Sequence, residues 1–255
     1  MPRQQLHLDP SSPTIIVPIT ARDATELDQS AVAAAAALDA GAVEWRVDLY
    51  EPFTAGGGID PAPAVSALER VAELVPDIPI LATFRTTAEG GSADIPPESY
   101  LALIDALAAT GLAAAVDVEY RHPVAERAIA AAHTHGTSVV ASNHDFDGTP
   151  AVEEIMVRLE AMESAGADVA KIAVMPRSAA DVVTLLDATE RRHRLSRVPL
   201  ITMSMGALGA VTRIGGGVFG SAATFATVGA ASAPGQLPAS DVRGVLDLLH
   251  HGAHE

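Results

Sequence analysis

DVAKIAVMP, residues 168–176, is a short run of β-prone apolar residues with one basic side chain inside it, Lys171. Val169, Ala170, Ile172, Ala173 and Val174 flank that lysine, so the segment reads as a buried strand. Of the 16 Lys and Arg residues in the chain, 15 are arginine and Lys171 is the single lysine. Arginine would serve wherever a positive charge is all that is needed. What arginine cannot do is shed its proton and attack a carbonyl. A lysine rooted in an apolar strand is desolvated, which lowers an ammonium pKa from its ordinary value of about 10.4 and makes the amine a Schiff-base nucleophile. The competing reading is a lysine that reaches out to water along its stem.

The pattern around this strand repeats outward in both directions. Thr149 is expected to cap a helix that Pro150 opens and that runs to about 165, and a second helix follows over 178–192. SVVASNHD (138–145) and PLITMSM (199–205) are the neighbouring strands. Farther out lie strands at 14–19, 43–49, 79–85, 113–120 and 220–228. Helices are expected near 24–39, 64–74, 96–109, 123–135 and 240–251. This is about eight β–α units of roughly 25–35 residues, which means parallel strands with helices outside. Eight units in so short a chain favour a closed (β/α)8 TIM barrel over an open sheet. QQLHL (4–8) reads as a further strand, and with 14–19 it is expected to form an N-terminal β-strand pair that closes the bottom. No linker or charge block divides the chain, so residues 1–255 read as one domain.

Composition narrows the function. Hydrophobic residues are 49% of the chain but aromatics only 4%, so a large core must be built from Ala, Val, Leu and Ile. There is no cysteine, hence no disulfide framework and no thiolate metal site. The start of the chain lacks a signal-peptide pattern, and no apolar stretch reaches membrane-spanning length, so a cytoplasmic protein is expected. A net charge of −16 argues against nucleic acid and anionic membranes as partners. It also means that an anionic ligand would need a locally cationic pocket.

In a barrel, chemistry is done at the C-terminal ends of the strands and in the loops after them. Polar residues that a core would not need gather there. Glu44, Arg46 and Asp48 alternate along one expected strand and so share a side. Arg85 ends another strand, and Glu89 follows in a loop bounded by glycine. Asp117 and Glu119 repeat the alternation, as a structural network or a functional one. His144 ends the strand before that of Lys171, and an imidazole beside an amine suits general acid–base work. Arg213, Ser232 and Gln236 follow the last two strands and would make a carboxylate clamp. Two features carry no site. Gly215, Gly217 and Gly220 fit G-x-G-x-x-G but neither follow a clear strand nor open a helix. His133, His135, His193, His250, His251 and His254 lack zinc-site spacing and read as solvated residues at helix ends.

EWRVD (44–48), TFR (83–85), EGG (89–91), SNHDF (142–146), KIAVMP (171–176), ITMSMG (201–206), TR (212–213), FGSAATF (219–225) and SAPGQ (232–236) run along nearly the whole chain. In order and spacing they resemble the motifs of type I 3-dehydroquinate dehydratase. The resemblance implies a (β/α)8 barrel, commonly a homodimer, that works without metal or organic cofactor on the small molecule 3-dehydroquinate in the shikimate pathway. It implies that Lys171 forms an imine with the C3 ketone. His144 would remove a C2 proton and then assist loss of the C1 hydroxyl, with Glu89 orienting it. Arg213, Ser232 and Gln236 would hold the carboxylate, and Glu44, Arg46 and Arg85 would meet the ring hydroxyls. A class I aldolase-like Schiff-base barrel and a non-catalytic binding barrel are the alternatives.

Overall fold

In a computed structural model of the chain, residues 4–37, 39–228 and 235–252 are described. Eight strands run in parallel: β1 (Thr14–Ile19), β2 (Ala42–Arg46), β3 (Ile80–Thr83), β4 (Ala115–Glu119), β5 (Ser138–Asp145), β6 (Val169–Val174), β7 (Leu200–Ser204) and β8 (Ala223–Phe225). The order β7-β6-β5-β4-β3-β2-β1-β8 wraps round once. A bridge between Leu200 and Ser221 joins its two ends, with the Ala222 amide donating to Leu200 O at 2.7 Å. The fold is therefore the (β/α)8 barrel that the alternation predicts.

The helices are α1 (Ala24–Ala36), α2 (Glu51–Thr54), α3 (Ala62–Leu74), α4 (Pro97–Ala109), α5 (Ala125–Thr134), α6 (Val152–Ser164), α7 (Ala179–His193), α8 (Ala210–Gly215) and α9 (Ala239–Gly252). Local chemistry sets several of their starts. The Asp23 carboxylate accepts from the amides of Thr25 and Glu26 at the head of α1. Ser178 and Asp181 form a reciprocal capping box at the head of α7. Thr149 does not cap α6 as the sequence suggests. That helix begins at Val152, and the Thr149 hydroxyl donates to Met175 O at 3.2 Å, tying the β5–α6 loop to the end of β6.

Between strands and helices lies one apolar layer, and inside the barrel lies another. The few aromatics concentrate in the outer layer near β2–β4, where Phe53, Phe84 and Tyr100 pack edge to face. The lower interior is made of Ile16, Ala42, Leu81, Ala115, Val140, Val169, Ile201 and Ala223. Leu6 and Leu8 pack beneath it. The bottom is thus plugged, but not by a strand pair: residues 4–8 have no regular structure, and 14–19 is itself a barrel strand. Two side chains suffice for the plug because the interior taper is already filled by small and branched residues from the strands. Two further expectations shift. Strand β2 stops at Arg46, and Val47–Leu49 turns in a 3-10 conformation that carries Asp48. The glycine-rich passage after β7 contains α8, on which Arg213 sits. Gly215 closes that helix, and Gly217 and Gly220 give room for Pro13 and His193.

Candidate active site

The barrel strands turn polar two residues above the apolar layer, because inward positions recur with period two. Lys171 follows Val169, Glu44 follows Ala42, Thr83 follows Leu81, Asp117 follows Ala115 and Ser142 follows Val140. Lys171 is 3% exposed. Its Nζ donates to Asp117 Oδ2 at 3.1 Å and to Glu44 Oε1 at 3.4 Å. The same atom lies 4.6 Å from the centre of the Phe225 ring, in cation–π range. The lysine is therefore buried, as the sequence suggests, but among carboxylates rather than in an apolar sleeve. It points to the floor of a pocket lined by Glu44, Arg46, Arg85, Glu89, His144, Arg213 and Gln236.

Arg85 is the hub beneath that pocket. Its Nη2 meets Asp117 Oδ1 at 2.8 Å, and its Nη1 meets Glu119 Oε1 at 3.1 Å and Ser142 Oγ at 2.9 Å. Burial would lower its pKa, but Asp117, Glu119, Glu89 and Glu44 around it raise it, so the guanidinium is a fixed charge. Burial would likewise raise Asp117. The Arg85 and Lys171 charges and the Ser142 hydroxyl outweigh that, and its carboxyl is held below the ordinary value. Asp48 accepts two bonds from Arg46, each 2.7 Å, and the amides of Arg85 and Ser92. Asp48 faces the network from the 3-10 turn and sets the direction of Arg46.

His144 and Glu89 form the second half of the site. Glu89 Oε2 accepts from the His144 amide and meets Nδ1 of the ring, each at 2.9 Å, while Asn143 Nδ2 donates to Oε1 at 3.1 Å. Burial pushes the Glu89 carboxyl up to about 7 against the pull of Arg85. Burial, reinforced by Arg85, Lys171 and Arg46, pushes His144 well below its ordinary value. The imidazole is neutral at pH 7, and a neutral imidazole is what a general base needs. Gly90 belongs to the same unit. Its φ of 80° and the Phe146 ring, 2.3 Å from where a Cβ would stand, leave room for glycine only.

Arg213 reaches the opposite wall. It is 2% exposed, its Nη1 lies 3.3 Å from Phe225 O, and burial lowers its pKa to about 10, so it stays charged at pH 7. The lining thus has four cations, Arg46, Arg85, Lys171 and Arg213, against the two carboxylates Glu44 and Glu89. Asp48, Asp117 and Glu119 bond directly to Arg46, Arg85 and Lys171 and offset much of that charge, so an anionic ligand would meet cations already held in place by carboxylates. Gln236 lines the pocket too, while Ser232 lies outside the described residues. Sequence reasoning singled out every pocket-lining charge. It did not single out Phe225, Met203 and Met205, whose inward period-two positions were the available signal, nor Asn143 and Arg158 behind Glu89. His133 and His135 are exposed at their helix end as expected, each with a carboxylate partner, and His254 lies outside the described residues. His133 meets Asp168 at 3.0 Å and His135 meets Asp105 at 2.8 Å. No cluster that could hold a metal ion occurs among the described residues.

Residues 15–253 match the family model for type I 3-dehydroquinase. A 3-dehydroquinate dehydratase from Listeria welshimeri is 46% identical over 241 residues, 94% of this chain and 93% of that protein. The type I 3-dehydroquinate dehydratase of Clostridium difficile, solved with covalently modified comenic acid, superposes with a TM-score of 0.91 at 36% identity, covering 99% of this chain and 100% of that one. The 3-dehydroquinate dehydratase of Geobacillus kaustophilus gives 0.88 at 36% identity over 94% and 91% of the two chains.

Proposed function

The chain belongs to the type I 3-dehydroquinase family and is a hydro-lyase of the 3-dehydroquinate dehydratase class, and from that premise we propose that it works through an imine on Lys171 with His144 as the acid–base group. The observation that carries the reading is the single lysine of the chain, buried at the floor of a pocket whose wall holds a neutral histidine on the adjacent strand.

The chemistry follows from those positions. In its unprotonated form the Lys171 amine adds to the C3 ketone of 3-dehydroquinate, one amine proton moves to the carbinol oxygen, and a further proton from solvent makes that oxygen a leaving group. Loss of that oxygen as water gives a protonated imine, and Asp117 and Glu44 balance its charge. The imine draws electrons from the neighbouring C2–H bond. His144 Nε2 takes the proton, and the electron pair enters the ring as an enamine. The enamine expels the C1 hydroxyl, the His144 imidazolium supplies the proton that makes it water, and hydrolysis of the new imine frees Lys171 and the product. Glu89 holds the ring with Nδ1 protonated, so that Nε2 faces the substrate. Arg213 and Gln236, with Ser232, hold the substrate carboxylate, and Arg46, Arg85 and Glu44 bind ring hydroxyls. A covalently modified ligand in the Clostridium difficile relative accords with a nucleophile in the site.

No helix among the described residues is long and apolar enough to cross a membrane. The absence of cysteine fits a cytoplasmic home, and the family resemblance supports a homodimer, which light scattering on a sizing column tests. Turnover is tested by incubation with 3-dehydroquinate while the absorbance of the conjugated enone product is followed. Enone formation is expected. Retro-aldol cleavage of an acyclic keto sugar instead would favour the aldolase-like alternative, and tight binding with no turnover would favour a binding barrel.

A further inference from the structure

Behind Glu89, on the side away from the pocket, a line of hydrogen bonds leaves the barrel and ends on helix α6. Arg158 of α6 is 9% exposed and Asn143 of β5 is 3% exposed. Arg158 Nη1 donates to Asn143 Oδ1 at 3.0 Å. The other end of that amide, Nδ2, donates to Glu89 Oε1 at 3.1 Å. Glu89 Oε2 then meets His144 Nδ1 at 2.9 Å. Arg158 is itself held by Asp145 at 2.9 Å and by Glu154 at 2.8 Å, so it is fixed from three sides.

Each link in this line has a direction, and one end sets them all. A guanidinium can only donate. It therefore requires the oxygen of the Asn143 amide and turns the NH2 toward Glu89. An NH2 donor requires an acceptor, which favours the ionised Glu89 over the protonated one. An ionised Glu89 in turn requires N–H at His144 Nδ1 and leaves the lone pair on Nε2. We propose that Arg158 is a positioning residue for the active site, which fixes the tautomer of His144 through Asn143 and Glu89. This rests on the role of His144 as the base. Without the guanidinium, the Asn143 amide is free to turn over and accept a hydrogen bond from a protonated Glu89.

Glu89 is poised for such a change, because burial already brings its carboxyl to about 7. The groups that face it are Arg85 and the more distant Glu119 and Asp117, together with His144 and Asn143. Those that face His144 are Glu89, Arg85, Lys171 and Arg46. None of these contacts includes Arg158, which reaches the pair through the Asn143 amide and, by way of Asp145, through the end of β5 beside His144.

The test compares wild type with Arg158→Met, which keeps much of the stem's packing, and Arg158→Lys, which restores a donor-only cation. Turnover of 3-dehydroquinate is expected to fall about 10–100-fold in Arg158→Met, by analogy with the loss of a group that orients a metal-bound histidine, with KM little changed. The acid limb of the kcat profile is expected to move to higher pH, and Arg158→Lys to recover part of both. Nitrogen NMR of histidine-labelled protein without substrate reads the tautomer of His144. A protonated Nδ1 in wild type and a mixture or reversal in Arg158→Met supports the proposal. An unchanged tautomer and acid limb in folded Arg158→Met overturns it, as does loss of kcat with no rescue by lysine. The NMR result stands whether or not 3-dehydroquinate is turned over, so failure of the activity reading and failure of this one are told apart. If Arg158→Met does not fold, Asn143→Asp, which keeps the size but puts a second acid against Glu89, must shift the acid limb upward, and no shift overturns the proposal.

Discussion

The lower and upper halves of the barrel interior are built from the same strands, two residues apart, and they do opposite things. Below, Ile16, Leu81, Val140, Val169 and Ile201 meet at the axis with Leu6 and Leu8 under them. Above, Glu44, Arg85, Lys171 and His144 line one pocket, with Asp117 buried against Lys171. The lower half lowers the free energy of the fold by removing apolar surface from water. In the upper half the sign differs from group to group: burial forces Glu89 to bind its proton more tightly than it would in the unfolded chain, which costs stability near neutral pH, while Asp117, held below its ordinary value by Arg85 and Lys171, contributes it. The fold thus carries a locally destabilised carboxyl in its active centre on a well-packed base.

The largest expected contrast comes from Lys171→Arg. The charge and its bonds to Asp117 are kept, but no amine can form, so turnover should fall to background, a loss of about 10⁶-fold if the lysine acts as other covalent nucleophiles do. The melting temperature should stay near that of wild type. His144→Ala comes next. It should lose about 10²–10⁴-fold in kcat while still forming the imine, which rapid quench with borohydride detects. Normal turnover would place the base elsewhere.

Leu81→Ala is the same test applied to the lower half. It should cost about 2–5 kcal/mol in denaturant unfolding and leave kcat per folded molecule unchanged. A large fall in kcat would mean that the two halves are not separable.

The smallest effect concerns pH. Between the ordinary carboxyl value and about 7, folded Glu89 holds a proton that the unfolded chain has released. Stability contributed by this group is therefore present at low pH and lost as pH rises through that window. Glu89→Gln should melt a few degrees above wild type at pH 7.5, and the gap should close toward pH 4.5, while activity falls at both. Scanning calorimetry at the two pH values decides it, and a gap that widens on acidification contradicts the assignment.

How much of this was legible in the sequence differs between the halves. The apolar layer and the strand order follow from alternation alone. Residues 4–8 misled because QQLHL has a strand-like pattern but no neighbour left to pair with once the barrel closes. In the upper half the identities of the charges were readable, since a core has no use for them, but their partners were not. Nothing in a linear pattern says that Asp117 meets both Arg85 and Lys171 across two strands, or that Arg158 reaches Asn143 from a helix. The same ignorance of partners made burial of Lys171 look like immersion in apolar surroundings, when two carboxylates accept its hydrogens. Arg213 could be picked out, but the short helix α8 that carries it could not, because the glycines at 215, 216 and 217 leave no helical pattern to read.

The claim on which the rest depends is that Lys171 becomes covalently bound to substrate. Incubation with 3-dehydroquinate, reduction with borohydride and mass measurement of the intact protein test it most directly. The account predicts one added ligand per chain, located by peptide mapping to the segment that contains Lys171 and absent in Lys171→Arg. Full turnover with no adduct on that peptide would contradict it.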